Sequence, residues 1–365
     1  MARHPLILVT NDDGLNSPGL LAVAEAVADL GDLLIAAPAS QQTSMSRAFM
    51  TGPTVGAVQA KELTILGKPV IGYAVSGTPM QAVTHAMVEL TDQRPDLCVS
   101  GVNYGENIGA DLTISGTIGA ALEADAYGIP GLAVSVQADV SQWRSHGERD
   151  WGTARYFTRR FARQILSEGL PEDVALININ VPNGATPQTE VRRTVQSRRR
   201  YYVHMPPGAR SLADPVRLEI RTVVEPELLE PDSDIRAVAC DGVISATPLT
   251  WSMTARTDCS QPQTGSILGP RQLGPVGLRR TGRRTRRPTR SPLPPSPQPL
   301  WPAQPMRRQT SSRHPVPCLE AEPSAATTNS AMTIATGRSA PASLWSVLRL
   351  GALMPRSSRI ASGSR

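Results

Sequence analysis

Residues 5–19 decide the fold: Pro5-Leu6-Ile7-Leu8-Val9-Thr10, then Asn11-Asp12-Asp13-Gly14, then Leu15-Asn16-Ser17-Pro18-Gly19. A short apolar run that ends in a polar cluster suits a strand buried on both faces of a parallel sheet. Ser17 and Pro18 then open a helix, Ser as N-cap and Pro at the first helical position. Leu20, Leu21, Ala24, Val27 and Leu30 recur at helical spacing, and Gly31 stops the run. Strand, polar turn and helix in this order are the opening of an α/β unit.

The same alternation continues outward. Leu33–Ala37 reads as a second strand ended by Pro38, and further strands are expected near 70–75, at 96–100 and at 131–135. Helices are expected near 79–91, 116–127 and 149–167, and Val174–Val181 reads as another buried strand. The expectation is a Rossmann-like, doubly wound, mainly parallel sheet whose ligands bind at the carboxyl ends of the strands. Residues 190–224 and 235–247 lean toward strands and hairpins, a β-hairpin extension at about 190–247 rather than a second domain.

Charge divides the chain. The whole carries +6, yet residues 259–365 hold 16 arginines against only Glu320 and Glu322. The remainder is therefore acidic, and the basic pI says nothing about the partner of the folded part. Residues 1–257 are expected to form the domain. Residues 258–365 form an Arg/Pro/Ser-rich tail too poor in apolar residues to offset its ordering entropy, hence disordered. Lys61 and Lys68 are the only lysines beside 35 arginines, a bias of GC-rich coding in which a shifted frame would also write such a tail. Apart from a bare basic stretch at 279–313, nothing suggests nucleic acid.

Other classes drop out. No apolar run approaches the roughly 18 residues of a membrane span, and the opening apolar run is too short for a signal-peptide core. Cys98, Cys240, Cys259 and Cys318 show no paired spacing, so a reduced, cytoplasmic protein is expected. Gly-x-Ser-x-Gly and Walker patterns are absent from the sequence, and the histidines lie in no motif.

Three polar clusters, Asn11–Gly14, Ala39–Ser46 and Ser100–Asn107, follow strands, and a fourth opens a helix. Asp12 and Asp13 would repel unless a cation lay between them, and oxygen-rich sites favour hard divalent metals; the run reads equally well as a helix-entry turn. Ser100-Gly101-Val102-Asn103, with Gly105, Asn107 and Gly109, allows close backbone approach and offers a neutral oxygen at Asn103. Ser115-Gly116-Thr117 opens a helix, a place for phosphate or for simple N-capping. In Gln41–Arg47, Thr43 and Ser44 could supply a hydroxyl ligand and Arg47 a phosphate contact, or the loop is merely solvated. Together the clusters suggest metal-assisted phosphoryl chemistry.

These blocks, with Ser76-Gly77-Thr78-Pro79, Asn178-Ile179-Asn180-Val181-Pro182 and Val243–Leu249 in the same order, resemble the SurE family of survival-protein nucleotidases over about residues 5–255. The resemblance implies hydrolysis of nucleoside 5′- and 3′-monophosphates, and of short polyphosphate in some members, with one divalent metal ion per subunit, Mg²⁺ or Mn²⁺. It implies metal ligands at Asp12, Asp13, Thr43 and Asn103. The family's usual Ser is replaced at the third place by Thr43, with Ser44 beside it. Asn11, Asp12 and Asp13 become the catalytic candidates, and Ser115, Gly116, Thr117 and Asn107 the phosphate contacts. A homodimer or homotetramer, built partly through the extension, is implied as well.

Two other readings compete. A phospho-accepting receiver domain would need a third Asp after its third strand and a later Lys. A non-catalytic nucleotide-binding module would want Gly-x-Gly-x-x-Gly after the first strand. A chain cut after Thr257 is expected to stay soluble and to behave as an acidic protein on ion exchange. Aggregation of the truncated chain would show that the tail covers part of the core.

Overall fold

The first apolar run forms β1 (Leu6–Thr10), which lies inside the sheet with β2 (Asp32–Pro38) on one side and β5 (Leu97–Tyr104) on the other, parallel to both. Its alternating side chains feed two cores, as the two-residue period of a strand requires. Ile7 and Val9 pack with Leu20, Val23 and Val27 of α1 (Pro18–Val27) and with Phe157 and Phe161 of α4 (Gly152–Glu168). Leu8 faces the opposite side, among Val83 and Ala86 of α2 (Pro79–Glu89) and Ala120 and Ala124 of α3 (Gly116–Ala126). Burial on both faces explains why the run carries no polar alternation.

The computed structural model describes residues 3–143 and 149–254, and those up to Met253 form one compact unit. The remaining strands are β3 (Val58–Ile65), β4 (Lys68–Val75), β6 (Gly131–Val136), β7 (Leu176–Val181), β8 (Val191–Arg193), β9 (Tyr202–His204), β10 (Ile220–Thr222) and β11 (Ile244–Leu249). The large sheet has the order β3-β4-β2-β1-β5-β6-β7-β11-β8. From β4 to β7 all neighbours are parallel; β3 and β11 run antiparallel to β4 and β7. The chain winds outward from β1 through β2 to β4, then crosses back to β5 and winds the other way. The switch point lies between β1 and β5, where such sheets place their ligands.

Helix entries follow the sequence signals. Ser17 caps α1, Thr78 and Gln81 form a reciprocal capping box on α2, and Ser115 caps α3, with Pro18 and Pro79 at first helical positions. The expected doubly wound sheet is thus observed, with three differences in detail. Strand β3, a polar partner of β4 with Gln59, Ala60, Glu62 and Thr64 exposed, was not expected. Strand β5 continues past Ser100 to Tyr104, with a register shift against β6 between Ser100 and Asn103. Residues 235–240, expected as strand, are helical, with a π-helical turn at Arg236–Cys240.

Of the expected extension, β8 and β11 join the main sheet, and only β9 and β10 pair as a separate antiparallel ribbon. The expected tail at 258–365 lies outside the described residues. Among the described residues no helix is long and apolar enough to cross a membrane.

Phe157 and Phe161 are fully buried and fill the layer between α4 and the sheet. Phe157→Ala is expected to cost about 3–5 kcal/mol, the range for emptying a core aromatic site. A shift of the urea midpoint worth less than ~1 kcal/mol would show that α4 does not close this core.

Candidate active site

At the end of β1 the chain turns back on itself, and the side chain of Asn11 closes the turn. Its Oδ1 accepts the Gly14 amide at 3.1 Å and its Nδ2 donates to the Gly14 carbonyl at 3.3 Å. Gly14 sits at φ +98°, where an L side chain is strained. The loop after β2 is pinned against this turn by Leu15 N–H to the Pro38 carbonyl (2.9 Å) and Gln42 N–H to the Asp12 carbonyl (2.7 Å). The second bond brings Thr43 and Ser44 beside Asp12. Ser44 takes φ +65°, a left-handed turn position.

Asp12 and Asp13 are nearly inaccessible, at 3% and 5% exposure. Asp12 Oδ1 accepts the Thr117 hydroxyl at 2.8 Å, and Asp13 Oδ1 accepts Gln41 Nε2 at 2.8 Å. Burial pushes both carboxyls well above the ordinary carboxylate range, and for Asp12 the adjacent Asp13 charge pushes further in the same direction. The hydrogen bonds from Thr117 and Gln41 oppose this without reversing it.

A solvent-open cleft of about 650 Å³ runs along the carboxyl ends of the strands. Asp12, Thr43, Ser44, Asn103, Asn107 and Ser115 all line it. Asn103 donates its Nδ2 to the Gly105 carbonyl at 2.7 Å, which orients the amide and leaves Oδ1 as the atom it could offer a cation. Its place follows from Gly101, at φ +135°, whose added Cβ would come within 2.3 Å of the Val134 carbonyl.

Asn107 is gripped from three sides. Its amide donates to Asn180 Oδ1 (2.8 Å), its carbonyl accepts from Asn178 Nδ2 (2.8 Å) and Asn180 Nδ2 (3.1 Å), and its Nδ2 donates to Ser135 Oγ (2.9 Å). The two-residue spacing of Asn178 and Asn180 puts both on one face of β7, which is what the Asn-Ile-Asn block is for.

Not every expected contact faces the cleft. Asn11 is committed to its turn and Thr117 to Asp12, so both position the carboxylates rather than line the cavity. Gly116 serves by its emptiness: a Cβ there would meet Asp12 Cβ at 2.7 Å. Arg47 is bound to Glu123 through Nε at 3.0 Å and lies over the Trp251 ring at 4.4 Å, so its charge is engaged away from the loop. Sequence reasoning passed over Gln41, Glu106, Trp143, Tyr202 and His204. Gln41 and Glu106 lie in the polar stretches after β2 and β5 but carry no motif signal of their own, and Trp143, Tyr202 and His204 reach the site only through the fold.

The donor set suits a hard divalent cation. Among the described residues no group of three His, Cys, Asp or Glu side chains gathers. Asp12 lines the cleft with neutral oxygens at Thr43, Ser44, Asn103 and Ser115, and Asp13 adjoins it without lining the cleft. The lining Glu106 and Asp111 carboxylates bond to Tyr201, Ala138 and Tyr202. That is oxygen chemistry of the Mg²⁺ or Mn²⁺ kind rather than a sulfur–imidazole site.

The family model described as Survival protein SurE matches residues 7–203, and a 5′-nucleotidase SurE of Thermococcus kodakarensis is 36% identical over 69% of this chain and 95% of its own. The chain belongs to the SurE family. A 5′-nucleotidase SurE of Methanothermobacter thermautotrophicus is 44% identical over 54% of this chain and 76% of its own. The SurE protein from Aquifex aeolicus has a similar crystal structure, with TM-score 0.54 and 28% identity over 68% of this chain and 95% of that one. SurE membership sets the receiver and non-catalytic readings aside; the place of the receiver's third Asp is Ser76-Gly77-Thr78, and Thr78 caps α2.

The raised carboxyls make a stability prediction for protein kept in EDTA. Because the folded state binds protons more readily than the unfolded one, stability should rise as pH falls from about 7 toward 3.8. Asp12→Asn removes the repulsion, so at neutral pH without metal it should melt higher by about 2–4 °C per kcal/mol relieved, and its melting point should depend less on pH. Calorimetry of both proteins at pH 5 and 7.5 checks this; a variant that melts lower at neutral pH refutes the burial-and-repulsion account.

Proposed function

We propose that this SurE-family protein is a divalent-cation-dependent phosphomonoesterase that hydrolyses nucleoside 5′-monophosphates to nucleoside and phosphate. The observation that carries the reading is a buried pair of adjacent carboxylates, with Asp12 opening onto a cleft that also presents the oxygens of Thr43, Ser44, Asn103 and Ser115. Asp12 and Asp13, Asn103 Oδ1 and the hydroxyl of Thr43 or Ser44 would hold one ion per subunit, Mg²⁺ or Mn²⁺. Bound there, it supplies Lewis-acid polarisation of the phosphate ester and neutralises its charge.

The chain's own groups do the remaining work. The amino end of α3, capped by Ser115, presents free amides and the positive end of its dipole to phosphate oxygens. Asn107, whose backbone is held by Asn178 and Asn180 and whose Nδ2 is held by Ser135, offers the remaining hydrogen of its side-chain amide to the same place without reorganising as charge develops. Thr117 and Gln41 hold the carboxylates in one orientation. Nucleoside 3′-monophosphates and short polyphosphate belong to the same reading as further substrates, as do a cytoplasmic location and a homodimer or homotetramer.

Phosphate release from AMP with Mn²⁺ or Mg²⁺, and its loss in EDTA, tests the reading directly. Asp12→Asn should reduce the rate by more than the ~10–100-fold typical of an outer-shell change. Near-normal activity at saturating cation would remove Asp12 from the ligand set. Thr43→Val keeps the shape without the oxygen, so it should weaken the cation titration if Thr43 is the ligand, while Ser44→Ala should do so if Ser44 is. Parent-like titrations for both would leave the ion with no hydroxyl ligand in this loop.

A further inference from the structure

One wall of the cleft has a different chemistry. It is built by Trp143, Tyr202 and Ile220. The Trp143 and Tyr202 rings meet edge to face, centroids 4.7 Å apart at 88°, and Tyr201 packs behind at 4.8 Å. Two carboxylates fasten this wall. Asp111 Oδ2 accepts the amides of both Tyr201 (3.2 Å) and Tyr202 (3.0 Å), and Glu106 accepts the Tyr201 hydroxyl at 2.6 Å and the Ala138 amide at 3.2 Å. Tyr202 donates its own hydroxyl to the Glu106 carbonyl at 3.2 Å.

The aromatic wall is also tied to the carboxylate end. Gln41 Nε2 donates both to Asp13 Oδ1 at 2.8 Å and to the Trp143 carbonyl at 2.7 Å. Beneath the indole, Gly105 stands at φ +114°, where a Cβ would come within 2.6 Å of Trp143 Nε1. The ring is therefore seated against bare backbone, in fixed relation to Asp13.

Charge sets the direction in which a ligand can lie. Both Glu106 oxygens and Asp111 Oδ2 are engaged by the residues of this wall, so an anionic group is repelled there. The candidate cation ligands Asp12, Thr43 and Asn103, and Ser115 at the amino end of α3, line the same cleft. A ligand with one anionic end and one flat, uncharged end matches the cleft in a single orientation.

We propose that Trp143, Tyr202 and Ile220 form the subsite for the nucleobase of the nucleotide whose phosphate sits at Asp12 and Ser115, an inference that rests on the nucleotidase reading. The base lies against the aromatic wall, and Trp143 and Tyr202 determine specificity by recognising a planar ring rather than its hydrogen-bonding edge.

The test compares AMP with ribose 5-phosphate, the same ester without a base. In Trp143→Ala and Tyr202→Leu the KM for AMP should rise about tenfold relative to that for ribose 5-phosphate, as loss of base–aromatic stacking predicts. Tyr202→Phe, which keeps the ring, should recover the parent's ratio. Turnover of ribose 5-phosphate by each variant confirms its fold. An unchanged ratio in both truncated variants overturns the proposal. Saturation-transfer NMR with adenosine reads the same subsite independently of hydrolysis: signal in the parent that is lost in Trp143→Ala supports it, and no signal in the parent overturns it. Adenosine binding without release of phosphate from either ester overturns the nucleotidase reading alone.

Discussion

Two carboxylates on consecutive residues, both withdrawn from water, repel each other at every pH where they are ionised. A fold that keeps them must hold them rigidly and supply a compensating charge. Here rigidity comes from the end of β1, where strands on both sides and two helical layers leave the backbone no freedom. Compensation comes in part from the hydroxyl of Thr117 and the amide of Gln41. The charge that remains destabilises the folded protein, and on the proposed reading it is what a bound cation would offset.

That origin explains why so much was legible. Residues 5–19 write strand, carboxylate turn, cap and helix in one local sentence, and Ser115–Thr117 writes a second cap and helix. Both follow from local chemistry, since period and capping act over a few residues. The doubly wound sheet and the gathering of Asp12, Thr43, Asn103, Asn107 and Ser115 at one cleft follow from the alternation of those units.

What failed to show in the sequence lacked a local signature. Strand β3 has polar residues at exposed positions on an outer strand, so it offers no clean apolar face to read. The helical turn at 236–240 buries Ala237 and Val238 at adjacent positions, a spacing that reads as strand as readily as helix. Gln41 meets the Trp143 carbonyl, and Trp143 meets Tyr202, across long stretches of chain, and only tertiary packing brings an amide, an indole and a phenol to one cleft.

The division of labour in Ser115-Gly116-Thr117 carries the constraint one step further. Three residues that read together as a phosphate cradle do three different things. Ser115 caps the helix by accepting the Ile118 amide at 3.1 Å, and Thr117 turns away from the cleft to hold Asp12. Gly116 must be glycine because a Cβ there would meet Asp12 Cβ at 2.7 Å and its Oδ2 at 2.9 Å. The amino end of α3 can therefore press directly on the carboxylate, its positive dipole offsetting part of the charge that burial leaves exposed. The amino end of α3 and Asp12 are thus one packed unit. A substitution that moved one would move the other.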